Sequence, residues 1–566
     1  MRLTPRRALA GAGTFVLIGS IMSTAPAFAA GTAQQTTART VLVLARDGAA
    51  DAAVRSAVAA AGGSVLTTNA DVGLYTVSTT SPTFGADVRG SAAVAGVATD
   101  RIIGRAPQEK AKRSDVEKLT SLKAAVAAAA APAAQAGSEP LASLQWDMEM
   151  IHAPQAHTAP AGTGKGVRVG IMDTGVDASH PDIAPNFNAA LSRNFTVDDP
   201  IIDGPCADDP DGSCTDPADV DENGHGTHVA GTIASPINGV GIAGVAPDAE
   251  IVNLRAGQDS GYFFLKPTVD ALTYAAKNGI DVVNMSYYID PWLYNCTANP
   301  ADSAEEQLEQ RTVIEATNRA LRFARQKGVT LVAAAGNENT DLNRPTSDDT
   351  SPDYPSADAA HPRTVDNSCL SMPTEGDNVV AVSAVGPTQR KAYYSNWGTQ
   401  EITVAAPGGD YRDNYGTAQY RTPGNLILAP YPKNVGIAEG TIDKDTGEVL
   451  DTTGFVIKSC TSGVCGYYQY LQGTSMAAPH ATGVVALIVG RWGHRDNQHG
   501  GLELMASQAE NILERTATDH ACPVPSVFDY PDRDASYDSN CDGTTDDNGW
   551  YGEGIVDALK GVTTRH

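Results

Sequence analysis

What most constrains this chain is a rhythm in its second part: beyond residue 141, short apolar stretches alternate with stretches of helical period. Residues 167–173, 251–255, 282–286 and 330–335 read as strands, whereas the segment starting near His225 and the one around 268–277 read as helices. Such alternation implies a mostly parallel sheet flanked on both faces by helices, an α/β fold. In open sheets of that kind ligands gather at the carboxyl ends of the strands and in the loops that follow.

Four short strings carry the chemistry: Asp173-Thr174-Gly175, His225-Gly226-Thr227-His228, Ala335-Gly336-Asn337-Glu338 and Gly473-Thr474-Ser475-Met476. A serine hydroxyl is a poor nucleophile at neutral pH; it needs an imidazole to take its proton and a carboxylate to fix the imidazole's tautomer. Ser475, His225 and Asp173 fit those roles. The developing oxyanion needs a preorganised donor, and Asn337, held by a glycine turn at Gly336, offers a side-chain amide. His225 and Ser475 each start an apolar helix, where free N–H groups and the positive dipole end favour a developing anion. Gly-Thr-Ser-Met lacks the Gly-x-Ser-x-Gly of a nucleophile elbow, which disfavours an α/β-hydrolase. His228 and His480 lie near these strings without a chemical task, and structural roles are expected of both.

In their surroundings these strings resemble the subtilisin-like serine peptidases, the subtilase family: HGTHVAGT (225–232), AAAGNEN (333–339) and GTSMAAPHATGVVAL (473–487), with HPDI (180–183) after the acid and YGEGIVDA (551–558) near the end. The order Asp, His, Ser is also the subtilisin order. The likeness runs from roughly Gln145 to Val562. It implies a peptidase domain over 142–566, interrupted by insertions at about 198–222 and 409–472, that cleaves polypeptides through an acyl-enzyme. It also implies that an extended substrate lies between edge segments near Ser260-Gly261-Tyr262 and Ser286-Tyr287-Tyr288, with Gly261, Ser286 and Gly336 as substrate-binding positions. Tyr287-Tyr288-Ile289 departs from the family's usual Leu-Gly-Gly, so Tyr288 either narrows the first specificity pocket or turns away. HPDI matches the family's calcium-ligating aspartate at Asp182, and the loop 236–242 supplies Asn238. Calcium suits such hard oxygen ligands, with backbone carbonyls completing six to eight positions; a metal-free asparagine turn is the alternative.

Arg2, Arg6 and Arg7 precede an apolar run from Ala8 to Met22, and Ala27-Phe28-Ala29 offers a small-residue cleavage site, so residues 1–29 read as a secretory signal peptide. The run is too short to span a bilayer, and no later stretch does better, so an exported protein with no membrane attachment after maturation is expected. Between residues 38 and 105, strands near 40–45, 64–67, 74–78 and 97–103 and helices near 49–61 and 84–94 give the order βαββαβ, a ferredoxin-like α+β unit. Its place before a subtilase implies the family's inhibitory propeptide, hence a self-inhibited precursor whose own propeptide is a partner. Residues 106–141, basic and then alanine-rich, read as an exposed linker in which maturation is completed.

All eight cysteines lie after residue 200, in agreement with an oxidising destination. Spacing suggests Cys206–Cys214, Cys460–Cys465 and Cys522–Cys541 as local bridges and leaves Cys296 with Cys369, although eight cysteines allow 105 pairings. The formal charge is −26, and the excess falls after residue 141, so nucleic acid is excluded as a partner. The loop 198–222, dense in Asp and Glu, reads chiefly as a disulfide-braced solvated insertion, with attraction of cationic side chains or further calcium as alternatives. The role of 409–472 is not legible. A monomeric endopeptidase of broad specificity is the leading expectation. A processing peptidase acting on few sequences is the runner-up, and a non-catalytic binding protein on the same fold is disfavoured because no Ser, His or Asn is lost.

Overall fold

The computed structural model describes residues 38–99, 139–208, 212–353 and 360–565. The expected signal peptide and the linker as far as residue 138 lie outside the described residues. Glu139 already belongs to the larger unit, because its carboxylate accepts from Gly239 N–H at 3.0 Å and Leu141 N–H donates to Gly241 O at 2.8 Å. That unit therefore begins before the expected boundary at 142.

The N-terminal unit runs β1 (Arg39–Ala45), α1 (Asp51–Ala60), β2 (Gly63–Asn69), β3 (Leu74–Thr79), α2 (Phe84–Arg89) and β4 (Val94–Thr99). Its sheet order β2-β3-β1-β4, antiparallel at every pairing, is the expected ferredoxin-like arrangement. Helix α2 is shorter than expected and β4 starts earlier, because Gly90 and Ser91 close the helix with turn bonds to Asp87 O and Val88 O. In β2 a bulge between Val65 and Thr67 turns Leu66 out to solvent. Period-two alternation divides the strands: Val41, Val43, Tyr75 and Val77 pack under Val54, Val58, Phe84 and Val88, while Leu42, Leu44 and Leu74 point the other way.

In the larger unit the strands are β5 (Arg168–Met172), β6 (Arg193–Asn194), β7 (Glu250–Arg255), β8 (Val282–Met285), β9 (Thr330–Ala334), β10 (Val380–Val385) and β11 (Val404–Pro407). They form one sheet in the order β11-β10-β9-β8-β5-β7-β6, parallel at every pairing. Helices α3 (His225–Ala234) and α6 (Thr474–Trp492) cover one face; α4 (Leu265–Lys277) and α5 (Ala304–Gln326) cover the other. Along β9, Val332 and Ala334 face the first layer while Leu331 and Ala333 face the second, which is why the strand is apolar from Leu331 onward. Helix α5 starts with a capping box between Ser303 and Glu306. Glu309, Gln310, Thr312 and Thr317 on its buried side blur the apolar period.

The outward face of the N-terminal sheet lies on α4 and α5, with Leu42, Leu44, Val72 and Leu74 in one cluster with Val313, Ala316 and Ala320. At the end of β4, Thr99 N–H donates to Glu309 Oε1 at 2.9 Å, and Trp292 Nε1–H donates to Oε2 at 3.3 Å. Burial pushes that carboxyl upward. Asn69 donates to Asp270 at 2.8 Å, and Arg319 donates to Ala45 O at 2.8 Å.

All four disulfides pair as the spacing implies: Cys206–Cys214, Cys296–Cys369, Cys460–Cys465 and Cys522–Cys541. The segment 409–472 gains a definite role. Its strands β12 (Ile427–Pro430), β13 (Val456–Thr461) and β14 (Val464–Leu471) make an antiparallel sheet in the order β12-β14-β13, and β12 packs against α3. Because β9 is buried on both faces, Leu331→Ala should cost about 2–5 kcal/mol, read as a lower midpoint in urea unfolding. Leu450→Ala, at an exposed position, should stay within about 0.5 kcal/mol.

Candidate active site

Asp173 follows the last residue of β5 and is fully buried. His225 opens α3 and presents Nδ1 to Asp173 Oδ1 at 2.7 Å. The same oxygen accepts Thr174 N–H at 2.8 Å, while Oδ2 is buried with no hydrogen-bond partner among the described residues. A carboxylate accepting from Nδ1–H leaves Nε2 as the basic nitrogen.

The start of α3 is fastened by a residue of the acidic loop 198–222, Asp221. Asp221 Oδ2 accepts Thr227 N–H at 3.0 Å and Thr227 Oγ1–H at 2.6 Å; Asp221 Oδ1 accepts Gly224 N–H at 2.9 Å and Asn223 N–H at 3.1 Å. One side chain thus caps the helix that carries His225. The missed signal was spacing: an aspartate four residues before the helix, followed by Asn and Gly. Gly226 has no room for a side chain, since a Cβ there would meet Gly175 O at 2.1 Å.

Ser475 sits in the first turn of α6, almost buried, and α6 packs against α3. Gly473 holds the turn with φ 153° and donates its N–H to Gly408 O at 2.9 Å. Ser286, after β8, locks the same turn from the other side: its hydroxyl donates to Ser475 O at 3.0 Å, and Ser475 Oγ–H lies 3.4 Å from Ser286 O. Asn337 Oδ1 accepts both Thr474 N–H at 2.9 Å and Thr474 Oγ1–H at 3.0 Å, and Gly336 N–H donates to Thr474 Oγ1 at 3.0 Å. These bonds fix which end of the amide is which, so the NH₂ end of Asn337 faces away from the backbone of Thr474.

The edge segment at Gly261 is a closed turn. Gly261, at φ 85°, donates its N–H to Gln258 O at 2.8 Å, and Gln258 N–H donates to Tyr262 O at 2.9 Å. That uses the Gly261 donor internally. Asp203 Oδ1 accepts Ser260 N–H at 2.8 Å and Asp198 Oδ1 accepts Asp259 N–H at 2.9 Å, so the acidic loop braces this edge. Tyr287 turns into the core and stacks on Phe263 with ring centres 4.0 Å apart. Tyr288 is half-buried and donates its hydroxyl to Asp353 Oδ2 at 2.7 Å, so it does not turn into solvent.

The acidic loop is not simply solvated. Asp198, Asp199, Asp203, Asp216 and Asp221 are buried, and the guanidinium of Arg255 bonds Asp198, Asp216 and Asp259. Those three carboxylates are close enough to hold a cation, and the Arg255 guanidinium bonds all three. One guanidinium balances one of three charges, and burial pushes Asp259 up to about 9.

His228 donates from Nε2 toward Ile427 O and Gln469 O at 3.1 Å each, and burial lowers it to about 3, so it is a neutral link from α3 to β12 and β14. His480 bonds Met476 O through Nδ1 at 2.8 Å and Asp147 through Nε2 at 3.0 Å. Both are structural, as expected.

Asp182 and Asn238 come together. Asp182 Oδ2 accepts Ile242 N–H at 3.0 Å and the Tyr468 hydroxyl at 2.8 Å; Asp182 Oδ1 faces the Asn238 amide nitrogen at 3.4 Å. Asn238 Oδ1 accepts Val240 N–H at 2.8 Å, so as it stands Asn238 offers Asp182 a nitrogen. Glu139, missed from the sequence, adds a second carboxylate whose Oε2 is buried with no hydrogen-bond partner among the described residues. Burial pushes Asp182 up to about 7, with Glu139 adding to the rise, and burial also raises Glu139. Two crowded carboxylates with an orphaned oxygen, beside a loop of backbone carbonyls, fit a hard divalent cation.

Residues 164–541 match the sequence profile described as the Subtilase family. The chain is similar to subtilisin DY of Bacillus licheniformis, 28% identical over 355 residues that cover 63% of this chain and 85% of that protein. It is likewise similar to the major intracellular serine protease of Bacillus subtilis, 28% identical over 342 residues, covering 60% of this chain and 73% of that one. Among solved structures, the epidermin leader peptide processing serine protease of Staphylococcus aureus aligns with TM-score 0.59 and 20% identity, over 93% of this chain and 98% of that chain. Fervidolysin of Fervidobacterium pennivorans, a keratinolytic enzyme, aligns with TM-score 0.54 and 21% identity, over 94% and 61%. At those identities the structural likeness concerns the fold alone.

The Asp259 cluster sets a pH dependence. The unfolded carboxyl titrates near 3.9, so between about pH 4 and 9 the folded chain holds a proton that the unfolded chain has released, and this group's contribution to stability declines as pH rises through that window. Asp259→Asn should therefore raise the thermal midpoint relative to the parent by more at pH 8.5 than at pH 5; an equal shift at both would contradict the assignment.

Proposed function

Because the chain belongs to the subtilase family and is a serine endopeptidase, we propose that it hydrolyses peptide bonds with Ser475 as nucleophile, His225 as base and acid, and Asp173 as the carboxylate that orients and stabilises the imidazole. The observation that carries this assignment is the 2.7 Å bond from His225 Nδ1 to buried Asp173.

As Ser475 Oγ attacks the peptide carbonyl, His225 Nε2 takes its proton, and the tetrahedral oxyanion is met by the Asn337 amide and the Ser475 N–H. Collapse expels the amine, protonated by His225, and leaves an acyl-enzyme that a water activated by His225 resolves. The N-terminus of α6 adds a favourable dipole to the same oxyanion. Polypeptide substrate lies along Ser286 and the turn at Gly261, whose own N–H is engaged, while Gly336, with its N–H given to Thr474 and its O to Asn396, offers substrate surface and no backbone bond.

The unit 38–105 acts as an inhibitory propeptide of a secreted precursor. This reading is supported by its ferredoxin-like sheet resting on α4 and α5 and by Glu309 receiving Thr99 N–H at 2.9 Å. Export is supported by the composition of residues 1–29 and by four disulfides. No helix of the described residues is long and apolar enough to cross a membrane. Glu139, Asp182 and carbonyls of the loop 236–242 would hold calcium, with Asn238 turning its amide to present oxygen; the ion would neutralise the two carboxylates and fasten the start of the domain to that loop.

Treatment with a serine-directed phosphonate should label Ser475, and Ser475→Ala should abolish both label and hydrolysis; an unlabelled parent would reject the assignment. Asn337→Ala should lower kcat by about 10²–10³, the usual cost of losing one oxyanion donor, with little change in KM. Calcium should raise the thermal midpoint of the parent and chelator should lower it, whereas Asp182→Ala should not respond; a parent indifferent to calcium would remove the site.

A further inference from the structure

The loop that carries Asn337 leaves the end of β9 and has to hold its own polar backbone without a neighbouring strand. One side chain does much of this work. Asn396, fully buried, accepts Glu338 N–H at 3.1 Å and Thr340 N–H at 2.8 Å through Oδ1, and donates through Nδ2 to Ala335 O at 3.0 Å and Glu338 Oε2 at 2.8 Å. Its backbone N–H donates to Gly336 O at 3.0 Å. These bonds reach the residues on both sides of Asn337, so every hydrogen-bonding capacity of one amide is spent on the turn.

The neighbours of Asn396 extend the grip. Asn339 N–H donates to Tyr394 O at 2.7 Å and Trp397 N–H donates to Thr340 O at 3.0 Å. Asn339 is held in a left-handed conformation at φ 51°, with its side-chain oxygen taken by the buried Lys391 ammonium at 2.9 Å. At Gly336, φ 103°, an added Cβ would lie 2.4 Å from Asn396 Nδ2. The glycine is therefore what allows Asn396 to fill the inside of the turn.

We propose that Asn396 is a positioning residue for the oxyanion donor: it sets the backbone from which the Asn337 amide is aimed and acts on the reaction only through Asn337. The proposal rests on the reading of Asn337 as that donor. Electrostatic stabilisation of an oxyanion depends on donors fixed before charge develops, and a misplacement of about 1 Å can cost on the order of 10² in rate. A loosened turn should therefore be felt in the transition state and not in the bound substrate.

The test is a double-mutant cycle on a chromogenic peptide with Asn337→Ala, Asn396→Ala and the pair, each checked for a cooperative thermal transition. Asn396→Ala should lower kcat about 10–10²-fold with KM within about twofold. The pair should be no slower than Asn337→Ala alone, within about twofold, because the second change acts on a donor already gone. Should Asn396→Ala fail to fold, Asn396→Asp keeps the volume and the acceptor but loses both donated bonds, and is expected to behave alike. Losses that multiply in the pair, a fall expressed in KM, or an unchanged kcat would overturn the proposal. If Asn337→Ala alone runs at the parent rate, the oxyanion reading itself fails and takes this proposal with it.

Discussion

The burial of helix α6 is the constraint on which the rest of the architecture depends. From Thr474 to Val489 it has no exposed side chain, and it touches β8, β9, β10 and β11 as well as α3, α7 (Ala506–Thr516) and α8 (Ala558–Thr563). A helix whose side chains are buried on every side, nearly all of them apolar, has to be surrounded, which explains why the sheet lies on one flank and helices close the others. Ser475 inherits rigidity from this position. Its hydroxyl stands on the first turn of an element that cannot shift without disturbing the core, and rigid support of that kind favours precise alignment of reacting groups.

Around that fixed point the polar groups are organised by mutual saturation. Asp221 gathers four donors at the head of α3, Asn396 satisfies the turn after β9, and Ser286 ties the turn before α6. Each is a buried polar group whose cost is offset only when its partners are all in place. The surplus of negative charge that would make the acidic loop repel itself is met by Arg255, and burial raises the Asp259 carboxyl. The loop can then lie against the edge at Ser260 instead of standing off in water.

Much of this was legible in the sequence, for identifiable reasons. Strands β5, β7, β8 and β9 are buried on both faces, so their apolar runs stand out, and the Asp173, His225, Asn337 and Ser475 strings are local patterns that need no tertiary knowledge. Helix α5 escaped because Glu309, Gln310 and Thr312 face inward and break the apolar period. Asp221 and Asn396 escaped because their roles are defined by partners several residues to dozens of residues away. The bracing of α3 by β12 and β14 depends on His228 meeting two carbonyls from a segment about 200 positions later, which no local pattern encodes. Glu139 lay too near the alanine-rich linker to be separated from it by composition.

The seating of the N-terminal sheet on α4 and α5 also says something about time. While residues 38–99 and 139–565 belong to one chain, the two surfaces meet in an intramolecular equilibrium that dilution does not alter. A single cut in the intervening segment would turn that internal equilibrium into a bimolecular one, so dilution alone would then begin to separate the partners. On departure the carboxylate of Glu309 would regain water in place of Thr99. Connectivity therefore holds the two surfaces together at any protein concentration, and after such a cut only their own contacts would do so.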